Sequence, residues 1–266
     1  MMTPHRFPAV PAGPRSRSTQ PLGLRGRLSV TENGTQLLTR RYEVAALAPN
    51  GDVDTFTRVA PATPVFEDAF ASLARGTLVA TADGPTAVED LVPGALVETV
   101  TAGPQPLLWV GSMTVFPDRG DGSGGEGGSL TRLAADAFGL SRPAPDLVLG
   151  PRARVLFRSH ACRALIGTGE AFAPAHAFVD GDQVIQLSPV SPVRVYHLCF
   201  HGQQVIRANG MEIESYHPGD QPEAIMTPET LDMFMALFPH IDTPGDFGPI
   251  DVPRLTAFEV ERLRAA

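Results

Sequence analysis

The sequence contains no lysine; all 21 of its basic residues are arginine. This excludes a lysine nucleophile or Schiff base, and the bias itself reads as the codon usage of a GC-rich genome. Cysteine is almost as scarce, with only Cys162 and Cys199 present. Two cysteines cannot build a disulfide framework, and neither lies in the Cys-x-x-Cys spacing of a structural zinc site, so two free, buried thiols are expected. No apolar run reaches the roughly 18 residues of a membrane-spanning helix. The N-terminal arginines have no adjoining apolar core, so no standard secretory signal is expected; a cytoplasmic location and export by another route both stay open. The formal net charge of -8 argues against a nucleic-acid partner, which needs a basic patch. Six glycines lie between Asp118 and Ser129, but no phosphate-loop lysine accompanies them. No nucleotide or other cofactor is implied.

What is present is ample apolar material. Hydrophobic residues make up 43% of the 266 and charged residues 19%, which suits one large domain with tails or two small ones. Residues 1–35 carry five arginines ahead of the first acid, Glu32. They read as a flexible tail, or alternatively as a docking or export segment for an acidic surface. Residues 36–71 form a β-hairpin leader: a strand over 41–47, a turn at Pro49-Asn50-Gly51-Asp52, and an alternating strand over 53–59.

From 72 to 219 the pattern is one of many short strands broken by Gly and Pro. The spacing predicts strands that include 77–81, 105–113, 153–158, 163–166 and 192–200. Helical periodicity is weak there, apart from a short piece at 133–138. The fold class expected is all-β, curled or barrel-like. Residues 118–129 read as a flexible hairpin tip. After Pro218-Gly219 the texture changes to a short, mostly helical appendage over 220–266. Thr227-Pro228 opens one helix, Leu231, Phe234, Met235 and Phe238 share a face, and a last helix is expected near 255–264. This appendage is expected to pack on the β core.

Ser72 to Thr81, followed by Gly84 and by Val88 to Gly94, resembles the opening of the Hedgehog/intein (Hint) domain, and within it the bacterial stand-alone branch. Further segments are similar to that family in order: Gly103 to Gly111, Leu147 to Leu156, Phe172 to Ala175 with Phe178 to Gly181, Tyr196 to Phe200, Val205 to Gly210, and the closing Glu214-Ser215-Tyr216-His217-Pro218-Gly219. Phe247-Gly248-Pro249 and Pro253-Arg254-Leu255 resemble the tail of that branch. The resemblance covers 72–219 and implies a compact curled Hint β fold.

It also implies a chemistry. In such domains a Ser or Cys attacks the carbonyl before it, a histidine protonates the leaving nitrogen, and donors hold the oxyanion. The family nucleophile falls on Ser72, so the bond at stake is Ala71–Ser72. The family's hydroxyl and histidine positions fall on Gly150 and Ala153, and both functions are lost there. Serine still allows an N-to-O acyl shift, but alanine cannot transfer a proton. Asn209-Gly210 does not supply the terminal Asn of a splicing intein, because the chain runs on.

Other histidines are candidates to replace the missing acid. His160 lies seven residues beyond Ala153, in a loop; His197 sits in an apolar strand; His217 lies in the closing motif. His176 reads as a surface residue. None has metal-ligand spacing, so no metal is expected. Two readings follow. In one, autoprocessing is reduced or lost, and the domain is kept as a structural or protein-binding module whose groove takes a protein partner or its own N-terminal segment. In the other, Ser72 cleaves the chain at Ala71–Ser72. A β-rich enzyme with an external substrate is a third possibility, but the sequence offers no acid–base constellation for it.

Overall fold

The structure, a computed structural model, describes residues 30–32, 35–117 and 128–265. Most of the expected tail (1–35) and of the glycine-rich tip (118–129) lies outside the described residues.

The chain is organised around two large sheets and a two-stranded pairing of Val30–Glu32 with Thr35–Leu37. The first sheet has eight strands in the order Val184–Leu187, Leu130–Leu133, Leu147–Leu149, Leu73–Ala74, Val193–Cys199, Trp109–Val115, Thr39–Leu47 and Val53–Pro61. The second runs Glu170–Pro174, Arg154–Arg158, Met211–Glu214, Val205–Ala208, Leu78–Thr81, Leu96–Thr99 and Gly103–Pro106, with Gly84–Ala87 folded back on Leu78–Thr81. Four α-helices accompany them among the described residues: α1 Pro64–Glu67, α2 Cys162–Ile166, α3 Pro228–Met235 and α4 Ala257–Ala265.

The all-β, compact curled expectation is therefore corrected. Both sheets are open, each running from one edge strand to another without closing, and helices interrupt the strands, so the fold is a mixed α/β one. Gly- and Pro-punctuated apolar runs announce strands, but the pattern says nothing about whether their sheet closes. Two local readings change for a related reason. Residues 163–166 belong to α2, a five-residue turn of helix too short to show a period, and 133–138 is the end of a strand followed by turns rather than helix.

The leader hairpin forms with Leu47 opposite Val53 and Thr39 opposite Pro61. Alternation along its first strand buries Tyr42, Val44 and Ala46 on one face, as a half-buried strand requires. That strand then pairs with Trp109–Val115, Ala46 lying opposite Trp109 and Glu43 opposite Ser112. The other side of Trp109–Val115 pairs with Val193–Cys199, which in turn takes the short strand after Ser72, with Leu73 opposite Tyr196.

Beneath this sheet lies an aromatic core. Tyr42, Phe66 and Phe70 come from the leader, Trp109 and Tyr216 from the middle of the chain, and Phe234, Phe238 and Phe247 from the C-terminal region. Trp109 is fully buried, stacks on Phe238, and donates its Nε1–H to the carbonyl of Leu237 at 2.7 Å. The indole folds over Gly111, where an added Cβ would stand 2.7 Å from Phe70. The helix at 228 starts as expected, with the Thr227 hydroxyl accepting from the Thr230 N–H. A second apolar cluster takes in Leu255 and Val260, and residue 172 exchanges main-chain bonds with Pro253 and Leu255, both at 2.8 Å.

Candidate functional site

Ser72 stands one residue before the Leu73–Ala74 strand, fully buried. Its N–H donates to the carbonyl of Tyr196 at 3.1 Å, and its own carbonyl accepts from Gly150 N–H at 2.6 Å. The preceding carbonyl, of Ala71, accepts from Arg152 N–H at 2.9 Å. Two separate elements thus fix the Ala71–Ser72 peptide: the Val193–Cys199 strand, and the turn at 150–152. The Ser72 hydroxyl has no hydrogen-bond partner. The sequence-predicted nucleophile and the Gly150/Ala153 element are therefore adjacent in space.

Gly150 is close-packed against this peptide. A Cβ at 150 would lie 2.7 Å from the Ala71 carbonyl carbon and 3.2 Å from the Ser72 nitrogen. Ala153 is buried in the apolar cluster with Val155 and Ala173. Nothing at position 153 can donate a proton, and the group facing the Ser72 N–H is a carbonyl oxygen, which can only accept.

The three histidine candidates sit in different places. His160 is exposed beyond the Arg154–Arg158 strand, beside a shallow hollow formed with Arg158, Ser159, Arg163 and Gly169. About 15 Å of extended chain separates the two ends of that strand from Ala153 outward, so His160 is not brought to the site. His197 is near it. It neighbours Tyr196 on the strand that holds Ser72, and its Nδ1 lies 2.8 Å from the carbonyl of Asp68. A carbonyl only accepts, so Nδ1 carries the proton. Burial, assisted by the charges of Arg154 and Arg254, pushes its pKa down to about 3. His197 is therefore a neutral, fixed ring at neutral pH.

His217 accepts from Gly219 N–H through Nδ1 at 3.1 Å and donates from Nε2 to the Gly248 carbonyl at 2.9 Å. Burial lowers its pKa too. It ties the closing motif to the C-terminal segment. His176 is exposed on the turn at 175–178.

An ionic network surrounds the site, and sequence reasoning did not find it. Asp68 faces Arg152 (Nε–Oδ1 3.2 Å) and Arg154 (Nη2–Oδ2 3.7 Å). Arg154 also faces buried Glu214 at 3.6 Å, and Glu214 accepts from Arg254 Nε at 2.8 Å and from Gln203. Arg254 reaches the His217 carbonyl at 2.7 Å, while the Gln203 amide oxygen accepts from Asp251 and Val252 N–H. The two arginines flanking Ala153 were visible in Pro151-Arg152-Ala153-Arg154, but no spacing links them to Asp68 or Glu214. Both cysteines are buried free thiols, Cys199 Sγ donating to the Phe200 carbonyl at 3.6 Å, and burial pushes the Cys199 thiol up to about 12. Among the described residues, no group of three His, Cys, Asp or Glu side chains is placed to hold a metal ion, and no helix is long and apolar enough to cross a membrane.

Ser72 thus stands just ahead of a short strand, with its upstream peptide held by a turn from a distant element. Residues 71–220, more than half of the chain, match the Hint domain family; the chain belongs to that family. Among solved structures, the solution structure of a bacterial intein-like domain from Clostridium thermocellum is similar, at 12% identity and a TM-score of 0.38, over 55% of this chain and 99% of that one. None of the curated proteins matches.

Proposed function

We propose that this chain is a Hint-domain protein of the bacterial stand-alone branch that has lost autoprocessing at Ala71–Ser72 and persists as a structural or protein-binding module. The observation that carries this reading is the surroundings of the would-be leaving nitrogen. Ser72 N–H donates to the Tyr196 carbonyl, and the family's acid position is the buried Ala153. An amide nitrogen leaves only when protonated, and neither neighbour supplies a proton. The nearby His197 is held neutral, and its one N–H is committed to Asp68.

A second reading, self-cleavage by Ser72 through an N-to-O acyl shift, draws on two features. Arg152 N–H already points at the Ala71 oxygen, where an oxyanion would form. The Ser72 hydroxyl has no hydrogen bond to give up.

Intact mass separates the readings. After prolonged incubation with hydroxylamine or a thiol, either of which would open an ester at Ser72, the purified chain is expected to keep its full mass. A fragment beginning at Ser72 that disappears in Ser72→Ala would establish self-cleavage instead.

A further inference from the structure

We infer that the surface beside Ser72, formed by Trp109–Val115 and the turn at 150–152, is a socket for the chain's own leader, residues 39–71, and that it holds the leader's hairpin as a bound subunit whether or not the chain is continuous. This rests on the reading of a spent site in one respect: the groove is free to be filled permanently rather than kept open for a reaction.

The leader makes every kind of contact that a bound polypeptide makes. Its main chain adds a strand to the sheet through four paired positions on Trp109–Val115, and Leu47 N–H donates to Leu108 at 2.8 Å. This is recognition by strand addition. Its charges are met by residues of the body: Arg40 Nη1 donates to the Thr114 carbonyl at 3.0 Å, and Asp68 faces Arg152 and Arg154. Its aromatic side chains supply buried anchors of the kind that dominate interfaces. Within the leader Tyr42 packs on Phe70 at 4.6 Å between ring centres; against the body Phe70 packs on Trp109 at 5.2 Å and Phe66 on Phe234 at 6.1 Å.

The shape of the socket is fitted to this occupant at two points where the body has no side chain. At Gly111 a Cβ would strike Phe70, and at Gly150 it would strike the Ala71–Ser72 peptide. The family resemblance places a hydroxyl residue at position 150. Here the end of the leader lies where that side chain would stand, so the lost hydroxyl is what lets the leader seat fully.

The test uses the full chain with a site-specific protease sequence inserted between Ala62 and Thr63. That junction separates the hairpin from α1, and Pro64 beside it is exposed. After folding and cutting, size-exclusion chromatography at micromolar concentration with mass analysis of the peak is expected to show the hairpin fragment and the remainder co-eluting, parting only in denaturant. Tyr42→Ala is expected to weaken retention on the order of a hundredfold, as truncation of a buried aromatic anchor does. Should that variant not fold, Arg40→Ala serves. It removes the bonds to Thr114 and, across the cut, to Glu67, and is expected to weaken retention several-fold. A hairpin that elutes alone from the cut parent, or another polypeptide found in its place, overturns the inference. The mass of the uncut chain judges the loss of autoprocessing separately. A fragment beginning at Ser72 would refute that loss, yet leave the socket standing if it stayed bound to residues 1–71.

Discussion

Gly150 lies so close to Ala71 that a Cβ on the glycine would stand 2.7 Å from the alanine's carbonyl carbon. The neighbour is main chain, held by Arg152 N–H on one side of the bond and Tyr196 on the other, so it cannot rotate away as a side chain would. Gly150→Ala is expected to destabilise the fold by about 1–3 kcal/mol, the usual cost of overpacking. For a chain of this size that is a fall in melting temperature of roughly 2–4 °C per kcal/mol. Thermal unfolding followed by circular dichroism reads it; an unchanged midpoint would mean that the leader does not seat against this turn.

On the proposed reading, a histidine at position 153, where the family resemblance places the acid, does not restart cleavage. Ala153 is enclosed among apolar side chains, so Ala153→His must push them apart, at a cost again of about 1–3 kcal/mol. The Ser72 nitrogen would still be turned toward the Tyr196 carbonyl. The expected result is a less stable protein of undiminished mass. Appearance of a 72–266 fragment would show that the acid alone was missing.

The pH dependence follows from three histidines kept neutral by the fold. Burial lowers the pKa of His197 to about 3, that of His240 to about 4, and that of His217 below its ordinary 6.5. Below about pH 6.5 the unfolded chain binds protons on these residues that the folded chain does not, so His197 and His240 each contribute a loss approaching roughly 1.4 kcal/mol per pH unit as pH falls, and His217 adds to it in the same direction. Their full contribution is present above 6.5 and drains away toward the folded values. Urea unfolding measured between about pH 7 and 4.5 should show this slope, and His240→Asn, which removes a ring with no hydrogen-bond partner at either nitrogen, should flatten it. Stability independent of pH in that window would contradict the assignment.

Much of the fold was legible because it depends on short-range signals. The Asn50-Gly51 turn, the alternation through Tyr42, Val44 and Ala46, and the Thr227-Pro228 helix start each declare themselves within a few residues. Sheet closure is a long-range property, and α2 is a single turn, so neither left a period in the sequence to read. The family resemblance named Ser72, Gly150 and Ala153 as candidates, and their main chains lie close together. Asp68, Tyr196 and Glu214 were not found. Their roles come from a backbone carbonyl 124 residues from its donor (Tyr196 and Ser72) and from ion pairs up to 86 residues apart (Asp68 and Arg154), which composition and spacing do not encode.

The cysteines offer an independent check on packing. Cys162 and Cys199 are both buried, and the Cys199 thiol, pushed up to about 12, yields almost no thiolate at neutral pH. A thiol-reactive dye is expected to label neither in the native protein and both in denaturant. Rapid native labelling at Cys199 would mean that the sheet around Trp109 opens readily.

The indole of Trp109 has a consequence for the order of assembly. It hydrogen-bonds to Leu237 and stacks on Phe238, while the strand that carries it pairs with the leader near the beginning of the chain. On the ribosome the leader hairpin emerges well before α3, yet the layer beneath it lacks its floor until α3 has been synthesised. This core is therefore not complete before Leu237 has emerged, and a message truncated ahead of that codon is expected to yield a polypeptide with Tyr42, Phe66, Phe70 and Trp109 uncovered, a substrate for chaperones and proteases rather than a smaller version of the protein.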